Sequence, residues 1–394
     1  MFEIEEVKND RQIKSFLQVA VYLYKEDKNW IRPLDKDIEE VFDEKSNKFF
    51  RHGICTRWIL KQNNEVIGRI AAFVDKKSEK SKNSLGQELH TGGMGFFECI
   101  DSKEAAFKLF DTAKKFLQLQ GMNSMDGPIN FGTRDNWWGL LAKGFNLQPN
   151  YKMPYTKEYY LHFFEDYGFK IYFKQLTYGR FVSEPLAPKY AEQSDKIFQN
   201  KRYSFEYLKM NTLEKYTEDF RTIYNKAWVN HAGAKEMTSL QAKTIMKSMK
   251  PIIDPKVIYF AYYDNEPIAF FLNLPEVNQI FKHIKNGKLD WKGKLIFLYH
   301  KLLRTNKRLT GRGFGIVPEH QGKGVVAGIV EFSRTVVQGE IKGRYIDYEM
   351  NWIGDFNHKM IKVVETIGSP VKVHHTYRIG FDTDIVIEPC LVID

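Results

Sequence analysis

Apolar residues along this chain recur with two periods, two and about 3.6, and the changes from one period to the other predict the order of its elements. Residues 54–60 and 66–74 are rich in β-favouring apolar residues and flank the polar turn Lys61-Gln-Asn-Asn-Glu65, which predicts a β-hairpin. Residues 93–100 predict another strand. Ser102 then opens a helix whose Ala106, Leu109, Phe110, Ala113, Phe116 and Leu117 share one face until Gly121 stops it. Ahead of these, residues 1–50 show short helical patterns (Phe16, Ala20, Leu23, Tyr24) broken at Trp30-Ile-Arg-Pro33.

The same order returns in the second half. Residues 256–263 and 267–274 predict a hairpin across Asp264-Asn-Glu266, and Asn265-Glu-Pro-Ile-Ala269 mirrors Asn64-Glu-Val-Ile-Gly68. Met94-Gly-Phe-Phe and Arg312-Gly-Phe-Gly each precede a helix, so two matches in one order point to an internal duplication. The two copies differ in chemistry. In the second, Phe314, Ile316 and Val317 read as a strand, Pro318 stops it, and Gln321-Gly322-Lys323-Gly324 lets the backbone approach a guest. From Val325 a helix is predicted, with Val326, Ile329, Val330, Phe332, Val336 and Val337 as its apolar stripe. A helix start has four unpaired N–H groups and about half a positive charge, so a phosphate or pyrophosphate is its natural guest. The first copy has Cys99-Ile-Asp-Ser-Lys-Glu104 there, without glycine, and is expected to build a wall of the substrate cleft instead.

Between the copies runs a passage dense in aromatic, Gly and Pro residues, from Gly127-Pro128 through Trp137-Trp138 to Tyr159-Tyr160. It reads either as an apolar groove or as packing at the joint. A strand over 172–182 leads to Ser183-Glu-Pro-Leu-Ala-Pro188, the best boundary signal, which divides the chain into domains 1–183 and 184–394. Helical patterns fill 189–200 and 212–250 and include Trp228 and His231; inserted helices are expected over 277–284 and 297–303. Strand 344–352 alternates Tyr345, Asp347, Glu349 and Asn351 on one face with Ile346, Tyr348, Met350 and Trp352 on the other. Carboxylates on a central strand are costly unless that face opens into a polar cleft, which makes Glu349 the first candidate for general base, with Asp347 behind it. An edge position or a salt bridge would also explain them. A helix over 355–368 and a closing strand over 371–381 complete the order, with His374 and His375 on opposite faces and so a poor metal pair.

With 394 residues, 43% hydrophobic and 15% aromatic, the chain can fill two cores, and the predicted class is α/β, a mixed sheet flanked by helices. The net charge of +10 suits an anionic partner. Its basic residues include a loop group, Lys76, Lys77, Lys80 and Lys82, and a longer run, Lys282, Lys285, Lys288, Lys292, Lys294, Lys301, Arg304, Lys307 and Arg308. Cys55, Cys99 and Cys390 lack CxxC spacing, so neither a disulfide framework nor a metal site is expected. The start lacks a secretory pattern and no uncharged apolar run of about 18 residues occurs, so a cytoplasmic protein without a membrane span is expected.

At Gln321, Gly324 and Val326, preceded by Val317-Pro-Glu-His320, the chain resembles the GNAT superfamily of acyl-CoA-dependent N-acyltransferases. The succession Gly127-Pro128, Gly139-Leu-Leu141, Gly144-Phe145, Tyr159-Tyr160 and Gly168-Phe169 is similar to bacterial tandem-GNAT proteins, which extends the resemblance over nearly the whole chain. The resemblance implies two GNAT-like domains in tandem and an acetyl-CoA or other acyl-CoA co-substrate. Its pantetheine would pair with Ile316 and Val317, and its pyrophosphate would lie on Gln321, Gly322, Lys323, Gly324, Val325 and Val326. Val326 stands where the family has Gly or Ala. Asn357 matches the Asn that opens a family helix, whereas Val364 replaces the tyrosine that protonates the leaving thiolate; Tyr377 is the possible substitute. Trp228, His231 and Asp347 would face a small-molecule or peptide amine acceptor. Two rival readings share the fold: a transferase using aminoacyl-tRNA, although the intact turn favours coenzyme A over a nucleic acid, and a non-catalytic acyl-CoA-binding protein.

Overall fold

The computed structural model describes residues 1–77, 80–228 and 236–391. Among the described residues fourteen strands join one mixed sheet: β1 Phe2–Glu6, β2 Gly53–Gln62, β3 Glu65–Asp75, β4 Lys80–Lys82, β5 Glu88–Cys99, β6 Ser124–Gly127, β7 Leu140–Lys143, β8 Lys170–Phe181, β9 Tyr203–Tyr207, β10 Ile258–Tyr263, β11 Glu266–Pro275, β12 Arg308–Ile316, β13 Asp347–Gly354 and β14 Ser369–Gly380. Along the sheet they run β1-β2-β3-β5-β6-β14-β8-β13-β12-β11-β10-β9, with β4 beside β5 and β7 beside β14.

Alternate residues of each strand serve opposite layers. On β3, Ile70, Ala72 and Val74 share a core with Ala106, Leu109 and Ala113 of helix Lys103–Leu119. From the other face Arg69 lies over the Phe16 ring of helix Asp10–Leu23 and donates to the Phe16 carbonyl, 3.0 Å. In the second half Phe260 and Phe270 meet Tyr216 and Phe220 of helix Leu213–Trp228, while Tyr259 meets Phe332 of helix Val325–Thr335. The result is a sheet with helices on both faces, as the periodicities predicted.

The duplication is visible in backbone geometry. Both hairpins turn on two residues in the left-handed region, Asn63 and Asn64 in one, Asp264 and Asn265 in the other. Asn and Asp tolerate that region, and such turns match strand twist. In each copy the third strand is antiparallel to the second and parallel to the strand after the helix: β5 with β6 over 91–93, β12 with β13 over 308–311. The copies then diverge. Beside β5 the chain's own Ile129 donates its amide to the Met94 carbonyl, 2.7 Å, and a Cβ on Gly95 would lie 1.9 Å from the Ile129 carbonyl.

Strands are also exchanged between the sequence halves. β14, from the end of the chain, lies between β6 and β8, and β8 pairs with β13. Local differences from expectation are few. The stretch expected to be helical over 212–250 yields Leu213–Trp228 and Ser239–Met249, the second opened by a Thr238/Gln241 capping box. The inserted helices are Asn278–Phe281 and Trp291–Leu302. The helix expected over 355–368 contracts to His358–Val364, and the strand expected from 344 starts at Asp347, because Arg344 closes a turn onto Ile341.

Candidate functional site

β12 and β13 pair from Arg308 opposite Asp347 to Gly311 opposite Met350, then part. From Arg312 onward the β12 edge faces a cavity of about 330 Å³, walled by Arg312, Gly313 and Phe314 on one side and Asn351, Trp352 and Ile353 on the other. Val326, Val330, Met360 and Val364 form its floor. A neighbouring cavity of about 70 Å³ shares Phe271, Val330, Tyr348 and Ile367 with it and is otherwise mainly apolar, with Leu186, Leu309 and Val337.

β12 runs from this slot into the turn Pro318–His320 and the start of helix Val325–Thr335. Gly322 and Gly324 have φ of +74° and +84°, a region that favours glycine, and Gly324 caps the helix without a side chain. The contrast with the first copy is direct. There the Ser102 hydroxyl accepts from the Ala105 amide and fills part of the helix start. In the second copy no side chain takes that place, and His320 turns aside to pack against the Tyr263 ring in a tilted contact and hydrogen-bond the Tyr203 hydroxyl at 3.1 Å. Burial holds the His320 imidazole below its ordinary pKa, with Lys323 adding to the effect. The Gln321 side chain donates through Nε2 to the Ile316 carbonyl, 3.3 Å, and its backbone N–H donates to the Pro318 carbonyl, 3.1 Å, tying the turn back to the strand.

The joint between the halves is a buried polar cluster. Glu349 on β13, 3% exposed, takes Arg308 Nη1 on Oε1 at 2.7 Å; its Oε2 accepts from Asn150 Nδ2 at 2.7 Å and from the Lys372 ammonium. Asp347 pairs with the same Arg308. Glu276 at the end of β11 accepts from the amides of Tyr151 (2.9 Å) and Asn278 (2.7 Å), and burial pushes its carboxyl up to about 7. Asn278 in turn donates to the Pro149 carbonyl, 3.0 Å.

The slot thus gathers Val326 and Asn357 from among the expected site residues, with Val364 beside them. Asn357 also caps helix His358–Val364 by accepting from the Met360 amide, 3.0 Å. Gln321, Gly322, Lys323 and Gly324 form the turn above it, and Val325 is buried behind. Ile316 and Val317 lie outside the slot's lining: the Val317 amide is bound to the Ile268 carbonyl, and the edge that faces the cavity begins earlier, at Arg312. Glu349 is an ion-paired tie and does not line the slot. Tyr377 is fully buried in the first half's core against Phe164, at 5.1 Å between rings, and burial raises its phenol pKa. His231 and the Trp228 side chain lie outside the described residues. Among the described residues no cluster suits a metal ion.

One lining residue was not anticipated. Tyr348 lines both cavities, its hydroxyl is buried without a partner, and burial raises its phenol pKa. Strand alternation placed it opposite the carboxylates, among residues that read as core.

No family model matches the chain. It is 26% identical over 375 residues to protein YghO of Escherichia coli, covering 94% of this chain and 93% of the relative. It is 24% identical over 377 residues to the bacterial ceramide synthase of Caulobacter vibrioides, covering 95% of each. The solved structure of a tandem GNAT protein from the clavulanic acid biosynthesis pathway superposes with a TM-score of 0.55 at 9% identity, covering 98% of this chain and all of that one. No helix of the described residues is long and apolar enough to cross a membrane. Duplicated hairpins, a parting strand pair and full-length superposition agree on one conclusion: the chain has the tandem GNAT fold.

Proposed function

We propose that the protein is an acyl-CoA-dependent N-acyltransferase, with 1–183 and 184–394 as its two domains and the acceptor amine held between them. The observation that carries this reading is the parting of β12 from β13 directly below a helix start that no side chain caps. The residues fit such a co-substrate. In the turn Gln321–Val326 the amides from Gly322 onward, two left-handed glycines and the exposed Lys323 suit a pyrophosphate, and the free β12 edge from Arg312 offers backbone groups to a pantetheine arm. Bound there, an acyl-CoA supplies an activated acyl thioester.

The chain's own contributions follow from the lining. A backbone N–H on the free edge near Arg312 is positioned to steady a developing oxyanion. We assign the unpartnered Tyr348 hydroxyl as a hydrogen-bond donor that steadies the leaving sulfur in place of Val364, the thiolate then taking its proton from solvent. The adjoining apolar cavity gives an acyl chain longer than acetyl a direction in which to extend. The relative named a ceramide synthase supports the same class, since a ceramide is the N-acyl derivative of a long-chain amino alcohol.

Thermal shift against acyl-CoAs from acetyl to palmitoyl tests the first half of the reading. A ligand at 100 times its Kd adds about 2.7 kcal/mol of stability. Thiol release with short amines and long-chain amino alcohols tests the second. No shift with any acyl-CoA refutes the reading, and a shift without thiol release from any amine leaves an acyl-CoA-binding protein.

A further inference from the structure

Helix Trp291–Leu302 lies in the excursion between β11 and β12 and is apolar on two sides. Its inner side is accounted for: Ile296 and Phe297 pack on Leu34, Val277, Phe281 and Ile284. Its outer side is not. Trp291 is 67% exposed, Leu295 57%, Leu298 50%, Tyr299 60% and Leu302 71%. At about 100° per residue these five positions fall within a single arc of roughly 100°. Lys292 lies on one margin of that arc, and Lys294 and Lys301 lie on the other, Lys301 donating to the Pro251 carbonyl at 2.6 Å so that Lys292 and Lys294 are the cations offered at the margins. Contiguous exposed apolar side chains of this size mark a docking surface.

Charge identifies the occupant. Residues 282–307 carry eight Lys and Arg and one acid, Asp290, which is used to cap the helix by accepting from the Gly293 amide at 2.9 Å. Lysines on both margins of an apolar arc can lay their stems along it and hold their ammonium groups at the level of lipid phosphates. A second copy of this chain would bring the same cations to the contact, since a two-fold interface apposes like with like. A twelve-residue helix is about 18 Å long, too short to span a bilayer but long enough to lie in its surface.

We propose that helix Trp291–Leu302 docks the protein on an anionic membrane, its apolar arc in the interface and its flanking lysines on the headgroups. The helix packs on the cluster that also holds Tyr151, whose amide binds Glu276 at the joint. Docking therefore sets the joint between the halves near the lipid surface. The inference does not rest on the acyltransfer reading, because vesicle binding requires no acyl-CoA.

The test is flotation of the full chain with vesicles of phosphatidylcholine alone or with about one third phosphatidylglycerol, while thermal shift with acyl-CoA reports the other reading separately. The wild-type chain is expected to float with the anionic vesicles only, and less as salt rises. Leu298→Glu with Leu302→Glu, both at exposed positions, should lower partitioning on the order of 100-fold with an unchanged circular dichroism spectrum. Lys292→Ala with Lys294→Ala should lower it roughly 30-fold. A wild-type chain that stays with the soluble fraction, or a double-Glu variant that floats equally well, overturns the proposal. So does a concentration-dependent dimer that the double-Glu variant abolishes while vesicles are ignored, which would assign the face to a second copy.

Discussion

Glu276 makes stability depend on pH in a direction opposite to that of an ordinary ion-paired carboxylate. It is 3% exposed, and its oxygen accepts from the amides of Tyr151 and Asn278, but burial outweighs these bonds and raises the carboxyl from 4.5 to about 7. Between those values the folded chain keeps a proton that the unfolded chain has released. The contribution to stability is therefore full below pH 4.5 and declines as pH rises through 7, by about 3 kcal/mol in all. Glu276→Gln retains a carbonyl to accept both amides and removes the titration. Urea unfolding of the two proteins at a series of pH values isolates the effect, because the buried His374 and the half-buried His375, both pushed down to about 4 by desolvation, contribute to each alike. Wild-type stability minus that of the variant should fall by about 3 kcal/mol between pH 4.5 and 8. A flat difference would mean that the positive charges of Arg308 and Arg312, which favour the ionised form, offset the burial completely.

Three further outcomes follow from the site. Gly324→Ala forces a side chain into a left-handed backbone; it should cost about 1 kcal/mol of stability. By turning amides away from the cradle it should also weaken coenzyme A binding tenfold or more, roughly the worth of one charge-assisted hydrogen bond, as read by calorimetry. Lys372→Met strips Glu349 of one of its two cations and should destabilise by about 3 kcal/mol, while Lys372→Met with Glu349→Met recovers most of the loss; simple additivity of the two would refute the tie. Tyr348→Phe removes a buried hydroxyl without a partner and should leave the free protein as stable or up to about 1 kcal/mol more stable. Its thiol-release rate should nevertheless fall on the order of 100-fold, and an unchanged rate removes Tyr348 from the chemistry.

The order of elements and the duplication were legible because they are written in local rules. Asn63-Asn64 and Asp264-Asn265 specify the hairpin turns, Ser102 caps one helix, and the glycines at 322 and 324 allow the backbone its left-handed turn. Each depends on residues within one turn of chain. The candidate site was legible only in part, at the turn. The roles of Glu349 and Tyr348 depend on what crosses from other strands: Lys372 arrives from the end of the chain, and Asn150 from the joint. Alternation tells which residues share a face, not whether that face meets a cleft, a cation or a core.

By itself, then, the sequence determined the succession of strands and helices, the repeated hairpins and the glycine turn, since propensity and side-chain period act over a few residues. Tertiary structure alone decided that β14 crosses into the first half's sheet, that Glu349 is tied by cations, and which apolar side of helix Trp291–Leu302 faces solvent. Those outcomes are set by competition among distant surfaces for burial and charge pairing, and no local pattern encodes which partner wins.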